Sequence, residues 1–145
     1  MIPKFRAWDR KNKVMRDVKG LIWEETDLIG HCNLIAHCPP RGHEFNEWFT
    51  VTLDGSKYQL MQSTGLKDKN GVGIFEGDVV AVENHPFQRK EDSGVGMEIE
   101  GNYVVGWNQH DLTWCAGDLL LARLKPYVKV IGNIYENSEL LEEQQ

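Results

Sequence analysis

Apolar and polar residues alternate along short stretches near the start of the chain, a pattern typical of strands with one buried face. Residues 4–9 and 13–18 alternate in this way, and the sequence DRKN at residues 9–12 has the composition of a turn. Together they predict an opening β-hairpin. A third apolar run, Leu-Ile-Trp at residues 21–23, predicts a further short strand.

The strand-like pattern of residues stops after residue 23 and resumes at residue 48. Residues 24–47 contain Gly30, Pro39-Pro40 and Gly42 and predict a long loop. Residues 48–53 and 57–61 are rich in β-branched and aromatic side chains and predict two strands. Because Asp54-Gly55 between them is a strong hairpin turn pair, we expect these two strands to form a hairpin.

Short apolar runs separated by polar loops continue through the middle of the chain. Residues 64–71 are rich in turn residues, an apolar pair follows at 74–75, and residues 79–82 predict a strand. A second polar loop covers about residues 84–97. This spacing of short elements is typical of a β protein.

The last third predicts three more strands and a helix. Residues 99–107 read as a strand with Gly101-Asn102 as a bulge or turn inside it, and residues 113–115 and 127–131 as two others. Residues 119–124 fit either a strand or a short helix. Residues 136–143 predict a helical tail with Asn137 or Ser138 as its N-cap.

These elements predict a mainly β fold, compact and barrel- or sandwich-like, with about eight short strands and a short C-terminal helix. A length of 145 residues fits a single domain over residues 1–145. The alternative is two β subdomains, at about residues 1–65 and 66–145.

Three segments, taken together, resemble the YopX family of bacteriophage and prophage proteins. They are KFRAWD at residues 4–9, LMQSTGLKDKNG at 60–71 with IFEGDVV at 74–80, and IGNIYEN at 131–137. The departures from the family pattern are modest, at Ser63, Val72-Gly73 and Phe75. The resemblance implies a phage or prophage origin and a mainly β fold, and it brings no catalytic residues to carry over.

Charge is distributed unevenly along the chain. Residues 1–20 hold seven basic side chains against two acidic ones, a net +5, while the whole chain carries −6. Basic residues that alternate with apolar ones also fit the solvated face of two amphipathic strands. Nucleic-acid binding is therefore possible but disfavoured by the net charge.

The chain has neither an N-terminal apolar run typical of a signal peptide nor an apolar stretch long enough to span a membrane. We therefore expect a protein of the bacterial host cytoplasm with no membrane partner. Three cysteines without an export signal favour reduced thiols over a disulfide framework.

One segment concentrates potential metal ligands. These weak candidates are His31, Cys32, His37, Cys38 and His43. Zinc sites commonly separate a cysteine pair by two to four residues, whereas five residues separate Cys32 from Cys38. We therefore predict no metal and no cofactor, and interpret the segment as a loop with solvated histidines.

Two further groups offer catalytic residue types without a catalytic motif. Cys115 has His110 and Asp111 nearby in sequence, but nothing fixes their geometry. Glu76 and Asp78 flank Gly77 and would share a side of an extended segment, where they could bind a cation or an interaction partner. The structural alternative is a solvated turn in which Asp78 accepts backbone N–H groups and Gly77 supplies a special backbone angle. We predict that the protein is not an enzyme.

Two functional hypotheses remain. The leading one is binding to a protein partner or self-association as a homo-oligomer, since the chain is rich in aromatic residues and carries opposite charge at its two ends. The alternative is nucleic-acid binding through the basic N-terminal hairpin, with Phe5 and Trp8 as stacking residues. The candidate interaction residues are Lys4, Arg6, Trp8, Glu76 and Asp78.

Overall fold

The computed structural model describes residues 4–25, 30–38, 47–88 and 96–142. The chain divides into two compact units, Met1–Gln62 and Ser63–Gln145, here called the N-terminal unit and the C-terminal unit.

Strands of the N-terminal unit form an antiparallel sheet in the order β4-β3-β2-β1-β5. The strands are β1 (Phe5–Asp9), β2 (Val14–Glu25), β3 (Gly30–Cys38), β4 (Glu47–Thr52) and β5 (Tyr58–Lys67). Its core consists of Ala7, Leu34 and Ala36, against which Val18, Leu21, Val51, Leu53 and Tyr58 pack. Residues 63–67 of β5 lie in the C-terminal unit.

The predicted opening hairpin is confirmed, since β1 pairs with β2 from Phe5↔Val18 to Asp9↔Val14. Residues 21–23 are not a separate strand, because β2 continues through a register shift at Gly20. The predicted loop over 24–47 is wrong, because β3 lies inside it. Leu34 and Ala36 point to the same face of β3 and are fully buried, so the core holds this segment in the sheet.

The strands expected around Asp54-Gly55 are confirmed, but their pairing is not. The turn forms, with the backbone N–H groups of Lys57 and Tyr58 donating to the Asp54 carbonyl. However, β4 pairs with β3, and β5 pairs with β1. The predicted hairpin is therefore wrong, because three strands separate β4 from β5 in the sheet order.

The C-terminal unit contains an antiparallel sheet in the order β10-β9-β8-β7-β11, and β6 pairs with the end of β5. The strands are β6 (Gly73–Phe75), β7 (Asp78–Val82), β8 (Gly101–Asn108), β9 (Thr113–Ala116), β10 (Leu119–Leu120) and β11 (Val128–Asn133). The helices are α1 (Leu121–Leu124), a 3₁₀ turn (Lys125–Tyr127) and α2 (Glu139–Glu142). The core is formed by Ile74, Val80, Val82, Ile99, Val105, Ala116, Leu121, Leu124 and Val128.

The mainly β fold with a short C-terminal helix is confirmed, although the described residues form eleven strands where about eight were predicted. Residues 119–124 combine both alternatives, since β10 leads directly into α1. The predicted bulge or turn at Gly101-Asn102 is wrong, because these two residues begin β8 and pair in regular register with Val82 and Ala81 of β7. No helix among the described residues is long and apolar enough to cross a membrane.

Candidate functional site

The segment at residues 64–80 is organised by side chains that bind backbone groups. The Thr64 hydroxyl donates to the Ile74 carbonyl at 2.8 Å and accepts from the Leu66 N–H at 3.1 Å. The buried Asp68 carboxylate accepts three backbone N–H groups, from Asn70, Val72 and Val130, at 2.8 to 2.9 Å. Burial raises the pKa of Asp68, but the three N–H donors outweigh it and lower the pKa below its ordinary value.

Glu76 and Asp78 also belong to this organisation. Asp78 accepts the Phe75 N–H at 2.8 Å, which is the backbone bond that the structural alternative predicted. The turn is not solvated at this residue, because Asp78 is buried. Glu76 is half-buried. Gly77 between them has φ of +85°, donates its N–H to Val105 and accepts the N–H of Ile134. The pair therefore closes a turn and does not present two carboxylates at one exposed surface.

The segment at residues 131–137 forms a second turn of this kind. The Asn133 side-chain oxygen accepts the N–H groups of Tyr135 and Glu136 at 3.0 and 2.8 Å. A Cβ added to Gly132 would lie 2.5 Å from the Asn137 side-chain oxygen, so only glycine fits there without displacing Asn137. Asn137 accepts the Asn133 N–H at 3.3 Å.

The first segment centres on a buried ion pair. Asp9 Oδ2 accepts from Arg16 Nε at 2.9 Å, and Asp9 Oδ1 accepts the N–H groups of Lys11 and Asn12. Burial raises the pKa of Asp9, but the bonds from Asn12 and Arg16 prevail and lower it. All three segments that carry the family resemblance thus hold turns in place.

The predicted interaction residues of β1 are not equivalent. Trp8 is only 8% exposed, so little of its indole is available for stacking on a base. Arg6 is half-buried, and Lys4 is exposed at the start of β1.

The candidate metal ligands His31, Cys32, His37 and Cys38 all lie on β3, and His43 lies outside the described residues. Six positions along a strand separate the backbones of Cys32 and Cys38 by about 20 Å. One ion cannot be bound by both. Within the described part of the chain, no three potential ligands cluster.

His110 and Cys115 line one depression of about 450 Å³ in the C-terminal unit. Cys115 is buried, and the structure shows no hydrogen bond between these two residues. The Asp111 N–H donates to the Asn108 side-chain oxygen at 3.0 Å, and the Asp111 side chain is exposed to solvent. The three residues therefore do not form a catalytic triad.

The most distinctive surface of the C-terminal unit is an apolar groove of about 460 Å³. The β7–β8 connection, β10, α1 and the 3₁₀ turn supply its walls. Phe87, Met97 and Leu120 line it and are 68%, 60% and 38% exposed. Ile99 and Leu124 also line it and belong to the core, so the groove lies directly on packed structure.

Specific contacts hold the groove wall in place. His85 Nδ1 accepts the Phe87 N–H at 3.1 Å, and the His85 ring lies 4.8 Å from Tyr127 and 5.7 Å from Phe87. The Met97 N–H donates to the Phe87 carbonyl at 2.8 Å. Gln88 Oε1 accepts two further N–H groups, those of residues 99 and 100, at 2.7 and 2.6 Å. These hydrogen bonds and ring contacts therefore hold the backbone that carries the exposed Phe87 side chain.

Charged side chains surround this apolar surface. Asp118 and Arg123 line the groove, both exposed, and neither has an ion pair among the described residues. Glu98 and Glu100 are exposed on either side of Ile99. The groove lining thus carries one carboxylate and one guanidinium, and two further carboxylates adjoin it in sequence. Sequence reasoning missed this groove, although Phe87 and Met97 were the large apolar residues in a loop expected to be polar.

Comparison with known proteins gives a family and a structural relative. The family model described as "YopX protein" matches residues 4–142. The chain is also similar to a solved structure described as "Crystal structure of protein EF1440 from Enterococcus faecalis". The two share 30% sequence identity at a TM-score of 0.61, over 97% of this chain and 99% of the other. No curated protein matches the chain.

Proposed function

The chain belongs to the YopX family, and from this premise we propose that it is a phage- or prophage-encoded accessory protein that binds a protein partner in the host bacterial cytoplasm. It acts without catalysis. The groove of the C-terminal unit receives a short segment of that partner.

The observation that carries this proposal is the cluster of Phe87, Met97 and Leu120 around one groove. Exposed apolar side chains scattered singly need no explanation, but a contiguous group marks an interaction surface. Fully burying a large apolar side chain contributes about 1.5–3 kcal/mol. Covering these three would supply a substantial part of a micromolar binding energy, which is about 8 kcal/mol.

Charge indicates the partner's chemistry. The C-terminal unit holds fourteen acidic and seven basic side chains, and the exposed Glu98 and Glu100 adjoin the groove residue Ile99 in sequence. A segment that pairs an apolar anchor with lysine or arginine would match both the apolar groove and the acidic charge of this unit. An acidic segment would be repelled. We therefore assign the groove to an apolar and basic segment of a partner protein.

Peptide selection tests this proposal directly. Random twelve-residue peptides displayed on phage are selected against the full-length protein, and the enriched peptides are measured by fluorescence anisotropy. The selected sequences should combine a large apolar residue with lysine or arginine. Phe87→Asp and Leu120→Asp should each weaken their binding at least tenfold.

Leu112→Asp is the matched control, because Leu112 is 68% exposed like Phe87 but does not line the groove. It should leave peptide binding unchanged. Selected peptides that bind Phe87→Asp as tightly as the parent would contradict the assignment, and so would an acidic consensus. Light scattering adds a further outcome: a concentration-dependent dimer lost in Phe87→Asp would make the occupant a second copy of this chain and refute a distinct partner.

A further inference from the structure

One end of the N-terminal unit is built from two adjacent turns, residues 9–13 and 54–57. The Arg10 N–H donates to the Lys57 carbonyl at 2.9 Å. The Arg10 side chain continues this connection, with Nε donating to the Gly55 carbonyl at 3.2 Å and Nη2 to the Gln59 side chain at 3.0 Å. These bonds join the two turns into one surface, here called the basic end.

The basic end presents four exposed cations: Arg10, Lys11, Lys13 and Lys57. Asp9 does not offset them, because it is buried and its charge is compensated by Arg16. Asp54 is exposed but already binds Ser56 through its N–H and hydroxyl groups. Apart from the Asp9–Arg16 pair, the two turns therefore carry a formal charge of +3.

The backbone at Lys13 adds a second observation. Its φ of +54° lies in the left-handed region, which glycine and asparagine adopt more readily than lysine. A lysine at this position keeps a cation at the surface at some cost in stability. Unfavourable backbone conformations of this kind concentrate at functional sites.

We propose that the basic end binds the phosphate backbone of nucleic acid without reading its sequence. The composition of the turns favours this ligand over an acidic protein. Residues 9–13 and 54–57 include no apolar side chain, whereas protein interfaces have an apolar centre that is poor in lysine. Phosphate binding needs cations alone.

The basic end is a different surface from the one that the sequence suggested for nucleic acid. Trp8 is buried, and Lys4 lies at the other end of β1 from the two turns. Residues of the second turn, far away in sequence, complete the surface. The N-terminal unit as a whole has nine basic and eight acidic side chains, so the acidic balance of the chain belongs to the C-terminal unit.

The salt dependence of binding follows from the number of cations. Four phosphate contacts to duplex DNA give a slope of log K against log salt concentration of about −3.6. Affinity should then fall about 100-fold between 50 and 200 mM salt, and at physiological salt the Kd should be no tighter than roughly 10⁻⁶ M.

The test measures anisotropy of a labelled random-sequence duplex at 50, 100 and 200 mM NaCl with the full chain. Lys11→Gln with Lys57→Gln should reduce the slope by about 2. The matched control is Lys67→Gln with Lys125→Gln, which removes two exposed lysines of the C-terminal unit and should change nothing. Thermal melts of both double variants verify that they fold.

Equal slopes for parent and the Lys11/Lys57 variant would overturn the proposal, as would no binding at 50 mM salt or an equal loss in the control. A polyglutamate competitor that displaces duplex at equal charge concentration would assign the surface to acidic protein instead. Lys13→Asn gives an independent check: it should raise the melting temperature and reduce the slope by about 1. A variant that binds DNA like the parent would remove Lys13 from the site and contradict the strain argument.

Discussion

Replacement of Asp68 is the sharpest test of the turn architecture. Its carboxylate lies between a turn and β11, with one oxygen bound to the N–H groups of Asn70 and Val72 and the other to that of Val130. Asp68→Ala leaves these three donors without their acceptor. Asp68→Asn keeps an acceptor oxygen but turns an NH₂ group toward at least one backbone N–H.

The expected loss follows from counting these bonds. A hydrogen bond to a charged group contributes about 1.5–3 kcal/mol, and an orphaned buried donor costs about 1–3 kcal/mol. Asn70 and Val72 are exposed, so in Asp68→Ala water can bind their N–H groups and recover part of the lost hydrogen-bond energy. The average loss for each bond should therefore lie near the lower end of these ranges. Taking about 1 kcal/mol for each bond gives about 3 kcal/mol for Asp68→Ala. Asp68→Asn should lose about 2 kcal/mol because part of the set survives.

The effect of Asp68 should depend on pH. Its pKa is lower in the folded protein than its ordinary value of about 3.9, so folding favours the ionised form. The stabilisation is complete above the unfolded pKa and is lost as pH falls through the folded value. The stability gap between the parent and Asp68→Asn should therefore be full at pH 7 and narrow below about pH 4.

Urea denaturation followed by circular dichroism measures the free energy of unfolding of each variant. Asp54→Ala is the control, because Asp54 also accepts bonds within a turn but is exposed. It should destabilise the protein much less than Asp68→Ala. The reasoning is refuted if Asp68→Ala unfolds within about 0.5 kcal/mol of the parent, which is the range of ordinary surface changes, or if the two alanine variants lose the same stability.

Three further predictions concern backbone geometry and metal content. Gly77→Val should lower stability by about 1–3 kcal/mol because φ is +85° there, and an unchanged thermal melt would contradict this. Gly132→Ala should be destabilising because its Cβ would overlap Asn137, and a double-mutant cycle should show a smaller loss in an Asn137→Ala background. The purified protein should contain no stoichiometric zinc, given the strand separation of Cys32 and Cys38, and one zinc per chain by elemental analysis would disprove that.

Local signals predicted local structure well. The β1–β2 hairpin and the turn at Asp54-Gly55 formed where the residue types indicated. Strand β3 was missed because the apolar run Leu34-Ile35-Ala36 breaks the alternation, and the histidines and the following prolines gave the segment the composition of a loop. The pairing of β4 with β3 could not be predicted, because a turn specifies a reversal of the chain and not which strand lies alongside.

The candidate sites depended on contacts that sequence does not show. Phe87 and Leu120 are 33 positions apart and meet at one groove. Arg10 and Lys57 meet through a backbone bond between two turns. Sequence reasoning did predict that Asp78 would accept a backbone N–H, because aspartate side chains commonly bond nearby backbone groups in turns.

The contacts beside Phe87 also bear on how this family could vary. The Met97 N–H donates to the Phe87 carbonyl, and the Gln88 side-chain oxygen accepts the N–H groups of residues 99 and 100, so these bonds join two parts of the chain about ten positions apart. Because lengthening a connection costs only about 0.6 kcal/mol for each doubling of its length, these bonds should persist if moderate lengths of chain are inserted between Gln88 and Gly96. Related proteins could therefore gain or lose residues between these positions during evolution, and a protein engineer could insert a foreign epitope there, without removing the bonds that position Phe87.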